Sequence, residues 1–458
     1  MSKTNSGQGL NKVLNKADIF ALAFGAMIGW GWVVLAGEWI SDAGTIGAIL
    51  AFAGGGLLVL FVGLVYAELS SAMPSSQGVL LFSSRAFGKR VAFICTWSIL
   101  LGFTAVIAFE AVALPTVIEY LFPSYKRVFL YSVAGYDVYA TWATVGVISS
   151  FMVCSINYIG VKTAAILQTV LTIIIAIIGL TFFCGTAVTG DTAMLVPTIQ
   201  NGIGGVLSVL VMTPFLYVGF DVIPQAAEEM NIPARKIGQI LVFAVVMAVA
   251  WYSLIILCVG LTTSGAEREA STLITADAMA NAFGGRTWAA KAIIIGGMAG
   301  IITSWNAFYI GASRALYAMA NQGMLPAFLG KIHPKYHTPA NAVLLLGIIT
   351  SLTPLLGRNM LVWLADAGGF ATIVTYLIVS LAFIRLRMRE PEFPRPFAVS
   401  RWKLIGFGSI VLCSFLCILY LPFSSAALVW PYEWAIVIGW IILGLIFYIS
   451  ACKTRRLL

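Results

Sequence analysis

Charged residues are scarce in this chain. Only 10% of its 458 residues are Asp, Glu, Lys or Arg, whereas soluble proteins carry roughly 25%. Histidine occurs twice, 60% of the residues are hydrophobic, and the mean hydropathy is +0.97. A soluble domain cannot hide that much apolar surface, so the composition excludes a soluble globular protein and predicts a multispan membrane protein.

Signatures of metal, redox and nucleic-acid sites are missing as well. The seven cysteines show no disulfide pattern, no zinc spacing and no CxxC. His333 and His337 flank Pro334, which disfavours the helix that an i, i+4 metal pair needs. The net charge of +9 is spread over short loops, without a basic tract interleaved with aromatics. We therefore expect no metal, no cofactor and no nucleic-acid partner, and no nucleophile–base pattern indicates an enzyme.

Long uninterrupted apolar runs are what the chain has instead. Runs of about 20 residues predict membrane helices, because barrel strands alternate and are about ten residues long. We predict an all-α integral membrane protein with twelve transmembrane helices near residues 17–40, 44–70, 89–122, 137–157, 161–187, 201–230, 237–263, 287–319, 340–358, 361–387, 401–425 and 431–452.

Lys and Arg are distributed unevenly between the two sides that these helices define. The segments on the side of the N-terminus hold 21 of the 27 Lys and Arg residues, and the opposite loops hold 6. Basic residues concentrate in cytoplasmic loops, so we expect both tails, residues 1–16 and 453–458, to be cytoplasmic. The expected location is the cytoplasmic membrane of the cell, with the lipid bilayer as a partner.

Two predicted helices contain residues that weaken a helix. The first reads "GAMIGWG" over residues 25–31, and the sixth contains Pro214, Gly219 and Pro224. Glycine costs about 1 kcal/mol and proline about 3 kcal/mol in a helix interior. Clustered at one depth, they predict unwound backbone, which a membrane tolerates only inside protein or along a cavity.

The interrupted helices lie five spans apart, which is the sequence sign of an inverted-repeat transporter. The first repeat is predicted at 17–187 and the second at 201–387, with two extra helices at 401–452. An alternative is that the glycines only permit close helix packing, since Gly25 and Gly29 form a GxxxG pair. The break in the sixth span has no such spacing and favours the transporter interpretation.

Four stretches resemble motifs of the amino acid–polyamine–organocation superfamily, in the order of that family. They are "GAMIGWGW" (25–32), "NYIGVK" (157–162), "FLYVGFDVIPQAAEEMNIPARKI" (215–237) and "SRALYAMANQGMLPAFLGKIHPKYHTPANAV" (313–343). The resemblance covers nearly the whole chain. It implies a LeuT-like fold, with a 5+5 inverted repeat, helices 1 and 6 broken, and two extra helices. It also implies secondary active transport of an amino acid or related organic amine by alternating access.

The resemblance further implies where the substrate binds. In the family, backbone amides of the first break hold the substrate carboxylate, carbonyls of the sixth span hold the amino group, and an aromatic residue after the second break closes the pocket. Carried over to this chain, the substrate-binding residues are Gly25, Ala26, Met27, Gly29, Trp30, Gly31, Phe215, Tyr217, Gly219 and Phe220.

Trp30 departs from the family pattern, which has Ser or Thr at this position. An indole donates only through its N–H and fills far more volume than a hydroxyl. The pocket is then smaller, or the carboxylate is held differently, or the substrate has no carboxylate. An aromatic ring can also contact an ammonium group face-on. Packing is the alternative for Trp30, and it is the interpretation we favour for Trp32.

Three ionisable residues are candidates for proton coupling. In sodium-independent relatives a lysine at the position of Lys162 fills the sodium site of sodium-coupled ones, and it can bridge the first and eighth spans. The resemblance therefore implies a sodium-independent carrier with the proton as coupling ion. Glu110 lies deep in the third span without a local partner, and Asp221 follows the second break. Asp221 either caps the second half-helix or contacts the substrate amine.

Several alternatives to a proton symporter stay open from the sequence. The same architecture serves obligate exchangers, and it also serves nutrient sensors that bind without flux. A passive channel would need a continuous polar stripe, which the spans lack. The substrate and the oligomeric state are not determined. Among the remaining charges we expect Glu68 to be structural and Arg314 to pair with a carboxylate of the loop that contains Glu228 and Glu229.

Overall fold

The computed structural model describes residues 10, 12–271, 273–424 and 427–453. Of the two predicted tails, residues 1–9, 11 and 454–458 lie outside the described residues. Over the described residues, ten helices are long and apolar enough to cross a membrane. This confirms an all-α membrane protein in outline.

The helices of the first half begin with a segmented span and continue with long ones. Asn15 caps α1: its side chain accepts from the backbone N–H groups of Ala17 and Asp18, and Asp18 accepts from the N–H of Asn15. This reciprocal capping explains why the helix begins here. The helices are α1 (Lys16–Met27), α2 (Gly31–Val34), α3 (Ala36–Ala43), α4 (Thr45–Ala72), α5 (Val79–Phe87), α6 (Lys89–Leu121), α7 (Ala140–Ile159) and α8 (Val161–Thr189).

The helices of the second half repeat this layout. A second segmented span is followed by long helices, and a short apolar helix is continued by a 3-10 turn at Thr353–Leu356. These helices are α9 (Gly202–Tyr217), α10 (Val222–Gln225), α11 (Ala234–Thr262), α12 (Gly265–Ala270), α13 (Ile274–Ala282), α14 (Thr287–Asn321), α15 (Ala340–Ser351), α16 (Met360–Arg389), α17 (Trp402–Leu419) and α18 (Tyr432–Lys453).

Two details of the loops differ from the sequence prediction. The loop before α7 contains an antiparallel hairpin, β1 (Phe129–Val133) and β2 (Tyr136–Tyr139), so the fourth span begins at residue 140 and not at 137. The polar sequence of residues 264–286 predicts one short surface helix, but this loop forms α12 and α13, and α13 is mostly buried. It packs onto the first span, where the Thr275 hydroxyl donates to the Trp32 carbonyl.

α12 lies in the same loop as α13 and is set by a local capping box. The backbone N–H and the hydroxyl of Ser264 both donate to the carboxylate of Glu267, and the Ser264 hydroxyl accepts from the N–H of Glu267. Donation from Ser264 lowers the pKa of Glu267. The carboxylate therefore stays charged at the N-terminus of α12, where the helix dipole favours it.

Glycines let α4 approach its neighbours closely. A Cβ on Gly56 would lie 2.7 Å from a methyl group of Val249 in α11, and one on Gly63 would lie 3.3 Å from Val245. A Cβ on Gly55 would overlap Thr213 of α9. Helices in membranes associate through this kind of close backbone contact, because lipid offers no hydrophobic driving force between them.

Ion pairs join several helices on the side of the bundle where α1 begins, which we call the basic side. Glu68 of α4 pairs with Arg387 of α16 at 2.6 Å and with Arg395 at 3.1 Å. Arg314 of α14 makes two hydrogen bonds to Glu229, of 2.8 and 2.9 Å, with both side chains 1% exposed. The structural role expected for Glu68 and the pairing expected for Arg314 are both confirmed.

We predict that Arg314→Met destabilises the protein by about 3–5 kcal/mol, because it leaves the Glu229 charge buried and unpaired. Arg85→Met is the matched control, since the Arg85–Glu390 pair is about one-third exposed and such pairs contribute about 0–1 kcal/mol. The measurement is the unfolding midpoint in detergent. Adding Glu229→Gln to Arg314→Met is expected to restore part of the loss. Equal shifts for the two single variants would contradict this interpretation.

Candidate functional site

The first membrane span is interrupted at the glycine-rich motif. α1 ends at Met27, and α2 begins at Gly31. Ile28, with φ −106° and ψ 71°, has left the helical region. The residues between the two helices, 28–30, therefore present backbone groups that the helix does not satisfy. Gly29 and Trp30, two of the predicted substrate-binding residues, lie in this break.

The sixth span is interrupted in the same manner. α9 ends at Tyr217, Val218 is extended, and α10 begins at Val222. Gly219 has φ +139°, a backbone conformation that L side chains rarely adopt. Glycine is required at this point because it has no Cβ to clash.

The two breaks are packed against each other. A Cβ on Gly219 would lie 2.7 Å from the Cβ of Ala26 and 2.9 Å from the backbone nitrogen of Met27. Gly31 faces the side chain of Leu216, with 2.6 Å between its hypothetical Cβ and a Leu216 methyl. Of the residues that the sequence assigned to one substrate site, Ala26 and Met27 therefore meet Gly219 in space.

A tyrosine of α11 connects the two breaks. The Tyr252 hydroxyl lies 2.9 Å from the carbonyl oxygen of Met27 and 3.3 Å from that of Leu216, and it donates to this pair of carbonyls. Both carbonyls end a half-helix and lack an intrahelical donor. Tyr252 was not predicted from the sequence, where its one signal is a hydroxyl in the apolar stretch "AVAWYSLIIL".

α14 packs directly against the first break. A Cβ on Gly300 would lie 2.6 Å from the carbonyl oxygen of Gly29 and 2.8 Å from that of Ile28. One turn further along α14, the Ser304 hydroxyl lies near Gly29, on which the Glu110 carboxylate also borders. The break is thus enclosed by backbone from one helix and by polar side chains from two.

Glu110 of α6 is the acidic group at this break. Its Oε1 would lie 2.9 Å from a Cβ on Gly29, and the residue is 2% exposed. Its Oε2 is buried without a hydrogen-bond partner. A buried carboxylate oxygen without a donor is costly, so this oxygen is either protonated or faces a ligand group during function.

The two tryptophans of the motif differ in their surroundings. The Trp30 ring lies against Gly297 of α14, where any Cβ would overlap it, and is 4% exposed. The Trp32 ring packs edge-on against Trp251, with centroids 5.4 Å apart. Trp32 is therefore a packing residue, and Trp30 fills the space beside the break.

The aromatic residues predicted around the second break point in different directions. Phe215 is partly exposed and contacts Phe109 of α6 edge-on at 5.4 Å. Tyr217 faces α4, where its hydroxyl donates to the carbonyl of Phe52 at 3.1 Å. Since its side chain faces α4, Tyr217 takes part in the break only through its backbone. Phe220 contacts the rings of Tyr66 and Tyr376, which also contact each other.

Asp221 stabilises the second break rather than the helix after it. The residue is fully buried and stands in the N-cap position of α10, but its side chain makes no cap hydrogen bond. Its Oδ1 instead accepts from the backbone N–H of Gly219 at 2.9 Å. Of the two roles considered for Asp221, capping of the second half-helix is wrong, because the carboxylate turns back towards the unwound residues.

A layer of buried polar groups continues from Asp221 towards the basic side. Three helices each contribute a pair of polar residues four positions apart. Tyr376 of one pair lies close to Asp221 of another, without the geometry of a hydrogen bond. Each residue has at least one buried polar atom without a partner. The pairs are Tyr66 and Ser70 on α4, Asp221 and Gln225 around α10, and Tyr376 and Ser380 on α16.

Lys162 is not placed where the resemblance implied. It is exposed in the first turn of α8. Hydrogen bonds to the first span come instead from Gln168, about 9 Å further along the helix, and from the adjacent Thr169. Gln168 donates to the carbonyl of Ala21 and accepts from Asn306 of α14, which in turn accepts from Asn157 of α7. A neutral amide therefore joins the first and eighth spans, and the expectation that Lys162 bridges them is wrong.

Two interrupted membrane helices in contact, enclosed by a buried acid, amides and aromatic rings, define a membrane transport protein. The chain belongs to the amino acid permease family, whose family model matches residues 14–452. This family lies within the amino acid–polyamine–organocation superfamily, so the predicted membership is confirmed. Its members are permeases and transporters, and the protein is accordingly a permease and not an enzyme.

Curated relatives are similar over almost the whole chain. The branched-chain amino acid permease BcaP of Bacillus subtilis is 27% identical over 98% of this chain and 94% of its own length. The methylthioribose transporter of the same organism is 26% identical over 100% of this chain and 97% of its own length. The aspartate-proton symporter of B. subtilis is 25% identical over 91% of this chain and 80% of its own.

We predict that Gly219→Ala lowers the unfolding midpoint and the initial uptake rate in proteoliposomes, the latter by tenfold or more. The new Cβ would meet Ala26 and force a strained backbone, which costs of the order of 1–3 kcal/mol. Gly204→Ala is the control, because it lies in the same interrupted span with no atom within 4 Å of its hypothetical Cβ. If both variants behave like the parent, close contact of the breaks is not needed.

Proposed function

We propose that the protein is a secondary active transporter that moves an amino acid or related organic amine across the cytoplasmic membrane by alternating access. In this proposal transport is proton-coupled, and both termini are cytoplasmic. The ten long helices, the segmented first span and the short apolar helix at Ala340–Leu356 together support twelve spans. The matching breaks at α1–α2 and α9–α10 support a LeuT-like inverted repeat.

The position of Glu110 is the observation that carries the proton coupling. A substrate carboxylate held by the amides of residues 29–31 would lie next to the Glu110 carboxylate. Two adjacent carboxylates in a buried site repel, so one proton must accompany them. Proton binding at Glu110 and substrate binding at the break are then coupled, and by linkage each strengthens the other.

The remaining groups at the breaks fit an amino acid. Sixth-span carbonyls near Phe215 and Tyr217 are the proposed acceptors for the amino group, since the end of a half-helix attracts a cation. Phe109, Phe215 and Trp30 offer apolar surface nearby, which favours a substrate with an apolar side chain. The names of the three relatives indicate different substrates, so similarity to them does not choose one.

Backbone hydrogen bonds on the basic side support movement of α1 and α10, the half-helices nearest that side, as one body. The N–H groups of Val13 and Leu14 donate to the carbonyl of Glu229 at 2.9 Å, and the N–H of Asn231 donates to the carbonyl of Leu14. The segment before α1 is therefore bound to the segment after α10. In the proposed cycle this unit moves against the surrounding helices to open the basic side.

We predict that Glu110→Gln makes uptake independent of pH. With the parent protein, uptake is expected to fall as the external pH rises, because the proton that screens the two carboxylates becomes scarce. Glutamine keeps the shape of the side chain and removes the charge, so the same step no longer needs a proton. Glu38→Gln is the control, because Glu38 belongs to the first span but is exposed.

The measurement is initial uptake of labelled amino acids into proteoliposomes between pH 5 and 8, with counterflow as a second readout. An unchanged pH profile in Glu110→Gln would remove this residue from coupling. Flux only in the presence of internal substrate would indicate an exchanger. Saturable binding without flux would indicate a sensor and overturn the proposed transport function.

We predict that Trp30→Ser changes substrate preference. The smaller side chain leaves space on Gly297 beside the break, so bulkier substrates should gain relative to small ones by about tenfold or more. Trp32→Phe is the control, since Trp32 only packs against Trp251. Competition uptake with amino acids and their decarboxylated amines measures the preference. An identical ranking in Trp30→Ser would reduce Trp30 to packing.

A further inference from the structure

A groove opens between α6, α16 and α18, away from the proposed transport site. Its volume is about 570 Å³, within the range of about 300–1,000 Å³ of small-molecule pockets. Residues 90–101 of α6, 370–374 of α16 and 437–448 of α18 line it. Of the ten long helices, α18 is the least buried, since only 17% of its most apolar stretch lies inside the protein. The groove therefore lies along a helix that mainly faces the membrane.

Aromatic rings form the floor of the groove. Trp97 and Trp440 stack with centroids 4.6 Å apart, and the indole N–H of each donates to the backbone carbonyl of the other, at 2.9 and 2.8 Å. Phe93 stacks on Trp97, and Tyr448 meets Phe93 edge-on at 5.4 Å. Because both indole N–H groups are bonded to backbone, this floor is rigid and presents apolar faces.

α18 and α6 approach each other closely at one point along the groove. A Cβ on Gly444 would overlap the indole nitrogen of Trp97, so glycine allows the helices to approach there. The rim consists of aliphatic side chains that are about half exposed, namely Ile94, Ile441 and Leu445. The groove is therefore apolar and accessible laterally from the membrane.

Arg90 lies at the end of the groove on the basic side. Arg90, the second residue of α6, lines the groove and is exposed. Within the part of the chain that the structure describes, no carboxylate lies within 4.0 Å of its guanidinium. A free guanidinium at the membrane surface favours a phosphate, with which it forms charge-assisted hydrogen bonds.

The length of the groove fits one leaflet of a membrane. From Arg90 to Leu101 the helix rises about 16 Å, and half of a hydrocarbon core of about 30 Å is about 15 Å. An occupant with an anionic head at Arg90 and an apolar tail along the rings would thus lie at the depth of a leaflet lipid.

We propose that this groove is a binding site for an anionic glycerophospholipid of the leaflet on the basic side. The phosphate binds Arg90, and one acyl chain lies on the floor formed by Phe93, Trp97, Trp440 and Tyr448. A second copy of the chain fits less well, because another apolar helix would cover the groove and leave the Arg90 charge without an anion. The site is separate from the proposed transport function.

The experiment titrates the purified full-length protein in mild detergent with dioleoyl phosphatidylglycerol or dioleoyl phosphatidylcholine and counts bound copies by native mass spectrometry. Arg90→Gln is expected to weaken phosphatidylglycerol binding about fivefold, the equivalent of about 1 kcal/mol for one basic residue at an anionic surface. Val374→Phe is expected to weaken binding of the acyl chain while keeping Arg90, because it fills the groove. Arg235→Gln is the matched control, since Arg235 is the second residue of α11 and is exposed outside the groove.

Support for the site is one preferred copy of phosphatidylglycerol that both groove variants weaken and Arg235→Gln does not. Equal losses in Arg90→Gln and Arg235→Gln would show diffuse attraction and overturn the proposal. Equal binding of phosphatidylcholine would overturn it as well. A dimer that Val374→Phe dissociates, with lipid binding unchanged, would assign the groove to a second copy instead. These readouts do not depend on transport activity, so they are independent of the outcome at Glu110.

Discussion

Backbone groups that leave a helix inside a membrane must find partners within the protein, because lipid offers none. In this permease that requirement arises twice, at residues 28–30 and 218–221, and much of the surrounding structure answers it. Tyr252 serves the carbonyls that end both half-helices, and Asp221 accepts from the N–H of Gly219. The carbonyls of Ile28 and Gly29 face Gly300, one of the glycines of α14. Backbone groups at the breaks that these neighbours leave without a hydrogen bond are available to a solute.

Buried carboxylates with and without a cationic partner have different physical roles in this protein. On the basic side, Glu68 and Glu229 are paired with arginines, so their negative charge is neutralised in place and holds helices together. Among the residues that the structure describes, no cation pairs with Glu110 and no donor bonds to its Oε2. A carboxylate in that situation responds to a proton or to a ligand, whereas the paired ones respond mainly to separation of the helices.

Much of the fold could be predicted from the sequence because its signals are local. Span positions follow from apolar runs, and both breaks follow from glycine and proline in "GAMIGWG" and "TPFLYVGFDVIP". The hairpin before α7 was missed, since its strands border an apolar span and carry no turn signal stronger than "AGYD". A short helix was expected after the seventh span, but the burial of α13 was missed because a short polar segment gives no sign that it will pack over the first span.

The amino-acid sequence by itself determined the membrane class, the family and the two interrupted helices, since composition and motif order do not depend on how helices are rotated. Tertiary structure decided which side chains reach those interruptions. One residue along a helix turns a side chain by about 100°, so Lys162 faces outwards while Gln168 meets the first span. For the same reason, only packing could bring Tyr252 and Glu110 from different helices to one site.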